Sequence, residues 1–84
     1  MIRTKEDLAD WIFDRVCQGQ YEGVGNSDSE QMSNGSEVSV SVVGDNGEFK
    51  ECEVTIDWGI DFCHTFSTNL TYEDVEDAIK GIEI

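Results

Sequence analysis

Apolar residues recur every three to four positions near each end of this chain and every second position in its middle, so two helices are expected to flank a sheet. The first helix is predicted over residues 5–18. Thr4 stands at its N-cap with Asp7 three residues on as the partner of a capping box, and Gly19 stands where a C-terminal glycine closes a helix. At about 100° per residue, Leu8, Ala9, Ile12, Phe13, Val16 and Cys17 fall on one broad face, which is core. Asp7, Asp10, Asp14 and Gln18 fall together on the other side. Successive acids there rise by roughly 4.5 to 6 Å, which makes one acidic stripe. Trp11 sits at the edge of the apolar arc and is read as packing against the sheet.

The middle of the chain alternates. Val38, Val40 and Val42 interleave with Ser39 and Ser41, and Cys52, Val54, Ile56 and Trp58 interleave with Glu51, Glu53, Thr55 and Asp57. A two-residue Asn46-Gly47 turn would set Val42 against Glu51 and Val40 against Glu53, mixing valines and carboxylates on one face. A three-residue loop with Gly47 left-handed pairs Val38 with Val54, Val40 with Cys52 and Val43 with Phe49, and is the register preferred here. Gly59 ends that run, and Ile60, Phe62, His64 and Phe66 continue as a third strand, with Ile56 opposite Phe62 and Cys52 opposite Phe66. The uncovered face then carries Ser39, Ser41, Glu51, Glu53, Asp57 and Asp61, with Val43 and Phe49 as a small apolar patch. Parity puts His64 on the covered face, as a core or rim histidine.

A second helix follows Thr71. Asp74 answers Thr71 in a capping box, Leu70 and Val75 form a hydrophobic staple, and Gly81 ends the element. Tyr72, Val75, Ala78, Ile79 and Ile82 point inward. Glu73, Asp74, Glu76 and Asp77 crowd the start of the helix, where the dipole favours some of them for stability alone. Between Glu22 and Glu37 the sequence has three glycines, two asparagines, four serines and no periodicity, so 22–37 is expected to be a long, flexible polar loop. The fold class expected is α+β: helix, three-stranded antiparallel meander, helix, stacked as a two-layer sandwich in one domain over 1–84.

Charge changes the picture more than any motif. The 84 residues hold 19 Asp and Glu against 5 Lys and Arg, a net charge of -14. Residues 1–18 account for only -1 of this, which leaves -13 on residues 19–84 with only Lys50 and Lys80 opposing. Such a surface repels phosphate, so direct binding to nucleic acid or anionic lipid is disfavoured. The double-stranded RNA-binding domain shares the α-β-β-β-α order, but it relies on basic residues at the start of its last helix, where this chain has Tyr72-Glu73-Asp74-Val75-Glu76-Asp77. The expected partner is a basic protein.

Apolar residues make up 38% of the chain, enough for one modest core at this length, where about 60 to 65% of the unfolded surface can be buried. No apolar run approaches a membrane span, and Met1-Ile2-Arg3-Thr4-Lys5-Glu6 does not open a signal peptide, so a soluble cytoplasmic protein is expected. Cys17, Cys52 and Cys63 are odd in number and lack a CxxC pair, which fits a reducing compartment. With His64 they match the ligand count of a Cys₃His zinc site, but not its spacing, and no DxDxDG calcium loop occurs. No metal or cofactor is therefore expected. The lone His64 has no triad spacing, and no HExxH, Walker or nucleophile-elbow motif is present, so the chain is read as not an enzyme.

In length, acidity and element order the chain resembles the small phage-encoded anti-CRISPR and other DNA-mimic inhibitors, and more loosely acidic immunity proteins. The resemblance lies in architecture and charge and includes no shared motif. It implies an inhibitor, in the host cytoplasm if phage-encoded, whose carboxylates occupy the basic nucleic-acid channel of a defence nuclease or CRISPR-type effector. DNA carries one charge per about 3.4 Å along each strand, and clustered carboxylates approach that density. The candidate contact residues are Asp7, Asp10 and Asp14 on the first helix, Glu51, Glu53, Asp57 and Asp61 on the sheet, and Glu73, Asp74, Glu76 and Asp77 on the last helix. The alternative is a small adaptor whose charge serves solubility and whose contacts run through Trp11, Val43, Phe49 or the serine-rich loop.

Overall fold

The structure, a computed structural model, describes residues 1–45, 47–57, 61–67 and 69–82, and for Gln20, Glu22, Phe49, Asp57 and Asp61 the backbone alone. Asn46, Trp58, Gly59 and Ile60, at which turns and strand ends were expected, lie outside the described residues, as does the side chain of Phe49.

The first helix, α1, spans Lys5–Glu22. The Thr4 hydroxyl accepts from the Asp7 N–H at 3.1 Å, as predicted, whereas the Asp7 carboxylate accepts from the N–H of Arg3, at 3.3 Å, rather than that of Thr4. The helix runs past its predicted end at 18 and closes at Gly23, whose φ of 92° is left-handed. Gly19 lies buried inside it. A glycine costs a helix about 1 kcal/mol, which packing of Val16 and Ile12 against the sheet outweighs.

The sheet has four strands rather than three. They are β1 (Ser27–Gln31), β2 (Glu37–Asp45), β3 (Glu48–Asp57) and β4 (Asp61–Phe66), antiparallel in the order β1-β2-β3-β4. The extra strand lies inside the stretch expected to be a loop. β1 has no apolar residue and is mostly exposed, so its sequence pattern is silent; it forms by backbone pairing with β2, from Ser27 opposite Ser41 to Gln31 opposite Glu37. Its C-terminal end is held by the buried Met32, which bridges in parallel to Ile2, with the Ile2 N–H donating to the Gln31 carbonyl at 3.0 Å. Asn34-Gly35 then turns the chain, with Gly35 at φ 93° and the Met32 N–H on the Ser36 carbonyl at 2.8 Å.

The β2–β3 register also differs from expectation. Val38 pairs with Ile56, Val40 with Val54 and Val42 with Cys52, while at the tip Gly44 pairs with Phe49 and Asp45 with Glu48. The register at the tip, Asp45 opposite Glu48, is the one rejected on parity, and an irregularity between Val43 and Gly44 restores the parity along the rest of the pair. A Cβ at Gly44 would come inside 3.0 Å of both the Val24 methyls and the Glu48 carbonyl oxygen, so the bulge needs glycine there. The β3–β4 register matches the prediction, with Cys52 opposite Phe66 and Ile56 opposite Phe62.

The last helix, α2, covers Tyr72–Ala78 and ends before the predicted stop at Gly81. Its capping box is complete: Thr71 and Asp74 exchange hydrogen bonds at 2.7 and 3.2 Å. One core joins both helices to one face of the sheet, with Leu8, Ile12 and Val16 from α1, alternate residues of β2 and β3, and Val75, Ile79 and Ile82 from the C-terminal segment. The α+β class therefore holds. Trp11 and Tyr72 pack half-buried against this core. Among the described residues no helix is long and apolar enough to cross a membrane.

Candidate protein-binding surface

Two of the three predicted acidic clusters meet. Asp7, Asp10 and Asp14 are exposed along α1, spaced by three and four residues as helical geometry requires. α2 packs beside α1, and the Tyr72 hydroxyl donates to Asp10 Oδ1 at 2.8 Å across the gap. That hydrogen bond pushes the Tyr72 pKa up to about 12, helped by desolvation and by the nearby charges of Asp10, Glu76 and Glu6. Glu76 and Glu6 therefore belong to the same neighbourhood. A shallow cleft between the helices is walled by Glu6, Glu76 and Asp77 over a floor of Ala9, Tyr72 and Ile79, with Lys5 and Lys80 at one end. There the Lys5 ammonium donates to the Lys80 carbonyl at 2.6 Å, satisfying backbone beyond the end of α2.

The acidic surface continues toward the other edge of α1. Asp7, Asp10 and Asp14 line a second depression with Trp11 and with Glu30 of β1. Glu30 reaches this side because it pairs with Val38, whose side chain faces the helices. The N-terminal ammonium lies 3.4 Å from the Glu30 carboxylate. Arg15 neutralises part of the rim: its guanidinium donates to Asp14 Oδ2 at 2.7 Å and Asp28 Oδ2 at 2.9 Å, bonds that hold its pKa above the ordinary range. Glu73, Asp74, Glu76 and Asp77 are all exposed on α2, although Asp74 is committed to the cap.

The third predicted cluster lies elsewhere. Glu51 and Glu53 alternate with the buried Cys52 and Val54, so they stand half-buried on the opposite, uncovered face of the sheet. Their cross-strand neighbours are uncharged: Glu53 lies between Ser41 and Thr65, and Glu51 opposite Val43. Asp57 and Asp61 pair with one another at the strand ends, beside Glu37, and their side chains lie outside the described residues. The structure therefore joins α1 with α2 and separates both from Glu51 and Glu53.

Glu6, Glu30 and Tyr72 belong to the helical surface and are not among the contact residues expected from the sequence, where Tyr72 reads only as inward-pointing. Glu6 stands four residues before Asp10, a spacing that marks a shared helical face, whereas Glu30 could be placed only once β1 was known.

His64 is a rim histidine, one of the two places parity allowed. It sits opposite Val54 on the helix side and is exposed because β4 is an edge strand, with its ring tilted against that of Phe66, centroids 4.5 Å apart. Cys52 is buried, Cys17 half-buried and Cys63 exposed, and among the described residues no group of His, Cys, Asp or Glu is arranged to hold a metal. Comparisons with protein-family models, curated proteins and solved structures return no match to this chain.

Proposed function

We propose that the protein is an inhibitor that imitates nucleic acid, its helical side occupying the basic nucleic-acid channel of a nuclease or CRISPR-type effector. The observation that carries this reading is the Tyr72–Asp10 hydrogen bond, which bridges α1 and α2 above their shared core and joins two acidic helices into one surface. Carboxylates at helical spacing recur every 5 Å or so on each helix, and two helices side by side approach the one charge per about 3.4 Å of a DNA strand. A rigid two-helix platform holds them without the ordering cost a flexible acidic tail would incur on binding. The chain's net charge of -14 would draw a basic channel in from a distance and make association fast and salt-sensitive.

The test is DNA cleavage by a panel of nucleases and RNA-guided effectors with and without the protein. Stoichiometric inhibition of at least one member, relieved by excess non-cleavable DNA and by raising salt, is the expected result. The competing reading, an adaptor with apolar contacts, draws on Tyr21 and Val24, which are exposed at 78% and 44%. A partner whose affinity is indifferent to salt and lost in Tyr21→Ser would favour that reading and sink the mimic.

A further inference from the structure

We propose that β4 is a self-pairing edge: two copies of the chain align their β4 strands antiparallel and fuse two four-stranded sheets into one. The two edges of the sheet differ in a way that selects β4. At β1 the edge is already occupied or blunted. The Ser29 N–H is taken by the Asp28 carboxylate at 3.0 Å, and the N-terminal segment closes the far end, with the Ser33 N–H on the Ile2 carbonyl at 2.7 Å. At β4, among the described residues, no hydrogen bond reaches the backbone of Asp61–Phe66 from outside its pairing with β3. From Phe62 to Phe66 there is no lysine, proline or bulge, the devices by which edge strands resist pairing.

Charge names the occupant. Phe62 to Tyr72 is the longest run of the chain without Asp or Glu. Two copies that each carry -14 repel over most of their surfaces, and β4 is the border at which they meet with least repulsion. A basic partner would be drawn instead to the helical side.

The strand also has side chains suited to facing themselves. Phe62, His64 and Phe66 share one side, with Phe62 half-buried, His64 exposed and the His64 ring 6.4 Å from that of Phe62. With His64 opposite His64 of the second copy, each Phe62 faces a Phe66, and Asp61 falls outside the overlap. Aromatic cross-strand pairs of this kind stabilise a sheet. Asp74 and Asp77 line the groove beside His64, so the two α2 helices keep a residual repulsion that salt relieves.

The two proposals therefore predict salt effects of opposite sign: the basic partner is lost as salt rises, and the dimer is gained. Sedimentation velocity of the full chain between about 0.05 and 0.5 M salt should show the dimer strengthening roughly tenfold. Hydrogen exchange should slow at Cys63, His64 and Thr65 as protein concentration rises. His64→Lys lowers the net negative charge but sets two lysines face to face, so it should weaken the dimer about tenfold or more, where non-specific association would strengthen. A monomer at both salts, or a dimer indifferent to His64→Lys and without slowed exchange in β4, overturns the proposal. So does protection of β4 that arises only on adding another protein, since the edge then receives a foreign strand.

Discussion

The two solvent-facing sides of this protein solve the problem of like charge differently. On the helical side, Glu6, Asp7, Asp10 and Asp14 crowd one helix and Glu76 and Asp77 the next, and a tyrosine hydroxyl ties the two together. At the centre of the open sheet face, acids are interleaved with hydroxyls and a thiol: Ser41, Glu53 and Thr65 form one row, and Ser39, Thr55 and Cys63 the next. Acids come into register only at the strand ends, where Glu37, Asp57 and Asp61 align. The difference follows from backbone geometry. Side chains splay outward from a helix, and the dipole favours acids in its first turn. Directly opposed residues in a sheet stand only about 5 Å apart, where like charges destabilise the pairing. Acids can be concentrated on a helical surface more cheaply than at the centre of a flat sheet, which is why the proposed mimicry is assigned to the helical side.

Substitutions divide according to whether they touch both sides or one. Ile12→Ala removes a fully buried side chain between the layers and should cost about 2–5 kcal/mol, lowering the denaturant midpoint and disabling both surfaces together. Gly44→Ala acts on the sheet alone. Its methyl group would collide with Val24 and with the Glu48 carbonyl, and a loss of about 1–3 kcal/mol is expected, with α1 retaining its hydrogen-exchange protection. Asp10→Asn, Asp14→Asn and Glu76→Gln together should weaken a salt-sensitive basic partner by roughly tenfold or more, about 1.4 kcal/mol, chiefly through the association rate. Glu51→Gln with Glu53→Gln should change that affinity by less than about threefold, and equal losses from the two sets would erase the distinction between the sides.

The smallest effect is alkaline. Tyr72 is protonated and donating in the folded state, and its pKa is raised above the ordinary 10 to about 12. The stabilisation it provides is complete below pH 10 and is lost as pH rises toward 12. In a Tyr21→Phe background, tyrosinate absorbance should report a midpoint near 12 for Tyr72. Asp10→Ala should return that midpoint toward 10, which would locate the join between the helices.

Much of the frame was legible. The caps at Thr4 and Thr71, the valine alternation and the pairing of Cys52 with Phe66 are local or period-two signals, and the structure follows them. β1 was not legible from hydrophobicity, since Ser-Asp-Ser-Glu-Gln has no apolar face; the available sign was Asn34-Gly35, a hairpin turn leading into the valine run. The β2–β3 register failed because period two alone cannot anticipate the shift at Gly44. For the site, each acidic cluster could be read singly. That two of them adjoin follows from α1 and α2 packing on one core, seen where Tyr72 reaches Asp10 across 62 residues of sequence, a tertiary contact that periodicity does not encode.

Carboxylate footprinting tests the central claim most directly: the protein is labelled with a carbodiimide and an amine, alone and bound to an effector it inhibits, and modified residues are read by mass spectrometry. The account predicts that Asp7, Asp10, Asp14, Glu73, Glu76 and Asp77 are shielded in the complex while Glu51 and Glu53 react as in the free protein. Shielding of Glu51 and Glu53 with the helical carboxylates still reactive would contradict it.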